Sequence, residues 1–401
     1  MADASIPATA GSAPVTPVPD LAERDRRLAR LRAAMQAEGL DAVLVAGKGH
    51  WWTGRGYVRW LTDFHLWGHD ALILVPLQGE PVFTLSSYAV AERVAARGWI
   101  TDGRGDVYLV PRIADAVREK RLDRSRIGLA GERFILAAGS DRELRTALPD
   151  VTFVSADDLM DRARAVKSPF ELEQERVLWR IAMDAMERFH EQVRPGVTEL
   201  EIASEITRPV WAAGARDILI FIGEEPGASN PPTARPLRCD DKVRFHLEIC
   251  GPSGHWCEIT VNSAVQEPTA LEAKLIEDEL AAFEQLRDLA RPGRRLSDLA
   301  ARFEQVLRER GWNLGEPTTH FDFHGQGMDT IERPWFSAGP GWGASQDWEL
   351  EAGMVFSYHP RRRVTPQPGW SSGINEDIVI TDTGAERLSG GWEHRWRPVT
   401  P

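Results

Sequence analysis

Cysteine is scarce in this chain: three among 401 residues, Cys239, Cys250 and Cys257, with no C-x-x-C pair. That excludes a disulfide framework and a zinc-ribbon pattern, and it fits a reducing cytoplasm. Long apolar runs are missing as well, none approaching the roughly 20 residues that a membrane helix needs. Basic runs go no further than Arg361-Arg362-Arg363 and the formal net charge is −12, so no extended nucleic-acid surface is expected. Residues 1–20 lack the basic start and apolar core of a secretory signal; rich in Ala, Pro, Ser and Thr, they read as a disordered tail.

What is present suits a large soluble core, with 42% hydrophobic residues over a length that allows two or three domains. Leucines and alanines at helical spacing from Leu21 to Gly39 predict an opening helix. Apolar runs at Asp41–Ala46, Ala71–Val75, Pro81–Leu85, Val107–Val110 and Ile127–Ala130 then read as buried strands, with helices near Tyr88–Arg97 and Ile113–Arg121 between them. Strands alternating with helices predict an α/β domain, here residues 21–165. A second domain, residues 166–401, opens where Ser168, Pro169 and Glu171 spell a capping box for a helix reaching about Val193. Thr198 to Glu201 repeats the signal, and Leu271–Ala290 and Leu296–Arg310 read as two further helices.

Between the two helix pairs, Phe245 to Thr260 reads as a hairpin around Gly251-Pro252-Ser253-Gly254. Period-two alternation puts His246, Glu248 and Cys250 on one face, where ionisable groups are costly unless they share a metal, a proton or a charged ligand. Three later phrases set an ionisable residue beside strand-like sequence: His324-Gly325-Gln326-Gly327, Val355 to Pro360 with His359, and Gly373 to Ile380 with Glu376. The segment Trp51 to His69 holds four tryptophans and two histidines. It reads either as a domain or subunit contact or as a cover for a pocket.

The order of these phrases, with Val166-Lys167-Ser168-Pro169, Pro195-Gly196-Val197-Thr198-Glu199 and Glu351-Ala352-Gly353-Met354-Val355-Phe356, resembles the creatinase, prolidase and methionine aminopeptidase superfamily. The resemblance runs from about Leu21 to Leu388. It implies an α/β N-terminal creatinase-type domain followed by an α+β pita-bread catalytic domain, assembled as a homodimer. Metal-dependent members of that superfamily use five ligands in the order Asp, Asp, His, Glu, Glu. The corresponding positions here are Glu248, Glu258, His324, His359 and Glu376, with His246 as a further candidate. Two of the five keep the family residue type, so the resemblance implies either one divalent metal ion (Zn, Mn or Fe) or a metal-free acid/base cluster. In both cases His359, His324, Glu248 and Glu376 are the expected catalytic residues, and His65, Trp67, His69 and Arg333 the expected substrate contacts.

Two departures point away from a peptidase at this stage. Ile331 stands in Thr330-Ile331-Glu332-Arg333-Pro334 where the family has a histidine, and no histidine lies between Gly223 and Pro236. The reading is therefore a cytoplasmic hydrolase cleaving a C–N bond in a small polar nitrogen-containing molecule, not an Xaa-Pro peptidase. The alternatives are a lyase acting on dimethylsulfoniopropionate or a related substrate, and a catalytically dead binding protein. Neither nucleic acid nor membrane is expected as a partner.

Overall fold

The near-continuous apolar runs of the first part form a six-stranded sheet in the computed structural model. That structure describes residues 19–49, 53–223, 230–265, 267–317, 322–338, 345–359, 362–365, 375–394 and 397–398. The strands are β1 (Ala42–Lys48), β2 (Asp70–Pro76), β3 (Val82–Leu85), β4 (Asp102–Gly105), β5 (Arg126–Ala130) and β6 (Thr152–Ser155), in the order β4-β3-β2-β1-β5-β6. Strand β1 runs parallel to β5 and antiparallel to β2. Around it come helices α1 (Leu21–Ala37), α2 (Arg55–Thr62), α3 (Tyr88–Ala95), α4 (Leu109–Glu119), α5 (Ala138–Ala147) and α6 (Asp157–Ala165). Leu28, Leu31, Val58 and Ile113 from these helices share one core with the strands.

The strand expected at Val107–Val110 is instead the entry to α4, whose first turn contains Pro111. Proline is tolerated there because the first N–H groups of a helix have no partner within it. The expected tail lies outside the described residues except for Pro19 and Asp20, and so do Trp51 and Trp52.

The second part is built on α7 (Pro169–Gln192), α8 (Glu199–Ala212), α9 (Ala270–Leu289) and α10 (Leu296–Glu309). Ser168 Oγ accepts the Glu171 N–H at 3.1 Å while Glu171 accepts the Ser168 N–H at 2.9 Å, so the capping box closes as its sequence predicts. One sheet of four holds β7 (Asp217–Gly223), β8 (Lys242–Cys250) and β9 (Trp256–Ala264), and a small ladder pairs β10 (Asn313–Pro317) with β14 (Arg362–Thr365). A sheet of five holds β11 (Phe323–Gly325), β12 (Glu332–Phe336), β13 (Val355–Tyr358), β15 (Glu376–Ile380) and β16 (Ala385–Arg387). Its order is β12-β11-β13-β15-β16, and β17 (Arg397–Pro398) completes the sheet of four beside β9.

The two sheets meet along β9. Trp256 N–H donates to Gly327 O at 2.6 Å, and Thr260 bridges to Asn375. The two parts of the chain are joined by buried charge. Arg164 on α6 reaches Asp329 at 2.9 Å, Glu332 at 3.1 Å and Asp161 at 3.4 Å. Asp329 in turn accepts the N–H groups of Gly54 and Gly56, each at 2.8 Å, at the start of α2. Among the described residues no helix is long and apolar enough to cross a membrane.

Candidate metal centre

The hairpin register sets Glu248 directly opposite Glu258 and His246 opposite Thr260, so the four side chains share a face. The neighbouring sheet supplies the imidazoles. His324 lies on β11, opposite Ser357 on β13, and His359 follows the end of β13. The turn after His324 needs its glycines: a Cβ on Gly325 would come within 2.4 Å of Arg333 O, and one on Gly327 within 2.6 Å of the Glu332 carboxylate.

His324 Nε2 lies 3.0 Å from Glu258 Oε2 and 3.0 Å from His359 Nε2, and His359 Nε2 is 3.3 Å from Glu258 Oε1. On its other side His324 Nδ1–H donates to Gly325 O at 2.9 Å, which fixes the ring and aims Nε2 at the cluster. His246 Nε2 sits 2.9 Å from Glu248 Oε1 and 3.5 Å from Glu258 Oε1, with Thr260 Oγ1 3.0 Å from Nδ1 and the Phe221 ring stacked on it. Glu258 thus belongs to two groups of donors, one with His324 and His359, the other with His246 and Glu248. Within each group the donor atoms lie within 4.8 Å of one another.

Electrostatics divides the two glutamates. Burial works against a charge on Glu258, yet His359, His324 and His246 more than offset it and hold the carboxyl well below the usual range. Burial, and then the Glu258 charge, push the Glu248 carboxyl well above that range against the pull of His324. Within the pair the charge is favoured on Glu258 and the proton on Glu248. Burial opposes a proton on His324 too, but the bonds to Glu258 and Gly325 raise its pKa.

These residues fit a divalent cation. Two imidazole nitrogens and a carboxylate are borderline donors suited to zinc or another first-row metal. Moreover the Asn375 Oδ1 acceptor beside them is buried without a hydrogen-bond partner, as a lone pair reserved for a cation would be.

Glu376, expected as a ligand, is not in the cluster. Strand alternation turns it to the other face of β15, where Oε2 accepts from Ser389 Oγ at 2.7 Å, His394 Nε2 at 2.9 Å and Arg387 Nη2 at 3.0 Å. Asn375 takes the place instead, with Nδ2 3.1 Å from Glu258 Oε1 and 2.8 Å from His359 Nδ1. Asn375 was overlooked because the acid beside it matched the expected residue type; a period of two puts Glu376 in phase with Ile378 and Ile380, and Asn375 on the opposite face with Asp377 and Val379. Asn375→Ala is expected to weaken metal binding about 10- to 100-fold, whereas Glu376→Gln should leave it unchanged and lower stability. Metal titration and denaturant unfolding of the two variants check this, and the opposite pattern would restore Glu376 to the centre.

The expected substrate contacts have surroundings of their own within this chain. Arg333 stacks on Phe134 and Trp335 and faces Asp161 at 3.4 Å, within the charged contact between the two parts of the chain. His69 Nδ1 is 3.5 Å from Ser86 Oγ, and burial, with Arg59 and Arg55, lowers the pKa of His65 to about 4. Trp67 is 71% exposed.

Comparison with known proteins agrees with this architecture. The model of metallopeptidase family M24 matches residues 174–382, and that of the creatinase/prolidase N-terminal domain matches residues 27–166. The chain belongs to family M24. It is 24% identical to the ectoine hydrolase of Halomonas elongata over 90% of this chain and 94% of that one. The solved dipeptidase PepE of Mycobacterium ulcerans superposes with a TM-score of 0.76 at 21% identity, covering 96% of this M24 chain and all of PepE. The prolidase of Pyrococcus horikoshii does so with 0.72 at 19% identity, over 92% and 99%.

The M24 protein is a hydrolase with the pita-bread fold and a donor cluster able to hold a metal. The exclusion of a peptidase does not stand. Chains that share this fold are dipeptidases, prolidases and an X-Pro aminopeptidase. The reading as a hydrolase of another small nitrogen compound, a lyase or a dead binding protein is corrected accordingly. Its weak step was physical: two missing histidines remove two proton donors, but His246, Glu248 and His359 put others into the same cluster.

Proposed function

We propose that this protein is a metal-dependent dipeptidase of the prolidase kind, hydrolysing the peptide bond of short Xaa-Pro substrates. The observation that carries the reading is the convergence of Glu258, His324 and His359 within 3.3 Å of one another, with Asn375 offering an unpartnered buried oxygen beside them. Glu258, His324 and His359 would hold one divalent ion, flanked by His246, Glu248 and Asn375. When bound, such an ion supplies Lewis acidity for the scissile carbonyl and lowers the pKa of water.

The chain's own groups account for the proton. Burial and the Glu258 charge favour a proton on Glu248, which is suited to pass it to the departing amine. His246 Nε2, 2.9 Å away, orients that carboxyl, and the Thr260 hydroxyl fixes the ring from its far side. Asn375 keeps Glu258 and His359 in register through Nδ2. A cytoplasmic homodimer belongs to the same reading: all three cysteines are free, two of them buried, and Trp67 presents an exposed ring of the sort that subunit contacts cover.

The test is hydrolysis of a panel of dipeptides, with and without proline at the second position, by protein loaded with Mn, Zn or Fe. Release of free proline that chelation stops and metal restores is the expected result. A metal-loaded protein inert toward every dipeptide would refute the reading.

A further inference from the structure

Side-chain neighbours alone do not fix Glu258. On an antiparallel strand alternate N–H groups turn away from the partner, and the Glu258 N–H leaves β9 on the side away from β8. It donates to a side chain, Asp377 Oδ2, at 3.1 Å. The same oxygen accepts Trp179 Nε1–H, from α7, at 3.2 Å. Asp377 and Trp179 are both buried. Two residues earlier on the same face of β15, Asn375 donates to Glu258 Oε1 at 3.1 Å. Strand β15 and the residue before it therefore grip Glu258 at the backbone and at the carboxylate. Among the described residues Asp377 forms no ion pair, so its side chain serves as a hydrogen-bond acceptor.

We propose that Asp377, itself held by Trp179, is a positioning residue for the centre. It sets the place of Glu258 on one sheet against His324 and His359 on the other. It acts through Glu258. The inference rests on the assignment of Glu258, His324 and His359 as the centre, so its test needs one readout that requires neither metal nor substrate.

Two measurements are made on the full chain: Co²⁺ affinity by titration with the metal alone, and the ring N–H resonances of His324 in metal-free protein labelled with ¹⁵N-histidine. Asp377→Ala is expected to lower Co²⁺ affinity about 10- to 100-fold, the scale of losses on removing a partner that orients a ligand. It should also shift the Nε2 signal, which reports the contact with Glu258. Asp377→Asn keeps an acceptor oxygen at the same reach and should restore both. A folded Asp377→Ala protein with wild-type affinity and an unchanged His324 spectrum would overturn the proposal. Should that variant fail to fold, Trp179→Phe decides, because it removes the indole N–H that holds Asp377: a shifted His324 signal supports the proposal and an unchanged one overturns it. If the wild-type chain binds no Co²⁺, the metal assignment fails alone, and the His324 spectrum still decides the role of Asp377.

Discussion

Glu258→Gln is expected to give a folded protein with turnover lower by at least about 10²-fold and as much as about 10⁴-fold. Glutamine has almost the shape of glutamate and keeps the backbone N–H that donates to Asp377, so the hairpin should stand. What it loses is the charge. Glu258 is a carboxylate reached by His246, His324, His359 and Asn375 together, at 3.5, 3.0, 3.3 and 3.1 Å. A neutral amide there also puts N–H hydrogens where a cation would sit, so metal content after dialysis should fall with activity. Elemental analysis beside steady-state kinetics checks both. Near wild-type turnover with full metal occupancy would mean that Glu258 is a structural acid and that the centre lies elsewhere.

Arg164→Ala is expected to cost about 3–5 kcal/mol, the range for removing one partner of a buried ion pair. Asp161, Asp329 and Glu332 surround the guanidinium, each of the four side chains at most 4% exposed, and the Tyr57 ring lies 4.4 Å from it. Burial alone would raise the Glu332 pKa, but Arg164 and Lys167 hold it at about 2. Without Arg164 the three acids would keep only Lys167, 2.7 Å from Glu332, and Arg333, 3.4 Å from Asp161, among the described residues. Against a total stability of roughly 5–15 kcal/mol the loss is large. Denaturant unfolding followed by fluorescence should show an early transition, with recovery only in part in Arg164→Lys, since an ammonium lacks the fork that reaches several acids at once. A midpoint within error of wild type would show that the contact between the two parts of the chain holds without this cation.

Much of this was legible in the sequence, because local rules and tertiary demands agree there. Thr198 and Glu201 close the capping box that their spacing announces, at 3.2 and 2.8 Å, as Ser168 and Glu171 do. The hairpin formed where its branched residues and its Gly-Pro-Ser-Gly turn put it, with Cys250 opposite Trp256. The Val107–Val110 segment misled because an apolar run of four looks alike in a buried strand and at the start of a helix. Helix α2 was hidden inside the tryptophan-rich segment, where aromatic composition drew attention away from periodicity. At β15 the residue type overrode the count: one position separates Glu376, tied to Ser389, His394 and Arg387, from Asn375 in the cluster. No pattern in the chain announces Asp377, whose partner is a backbone N–H on another strand.

The meeting of two sheets at Glu258 also governs when the centre can come into being. Its carboxylate arrives with β9, whereas His324 and His359 arrive with a sheet whose strands come later in the chain. A nascent or truncated chain that stops before residue 359 has no complete donor set, and a misdocked one has its donors on separate surfaces. Metal would then bind the finished protein in preference to its precursors and stabilise it by mass action, about 2.7 kcal/mol at a hundred times the dissociation constant. The cation would serve as a proofreader of maturation: a chain that retains it has already brought its two sheets together.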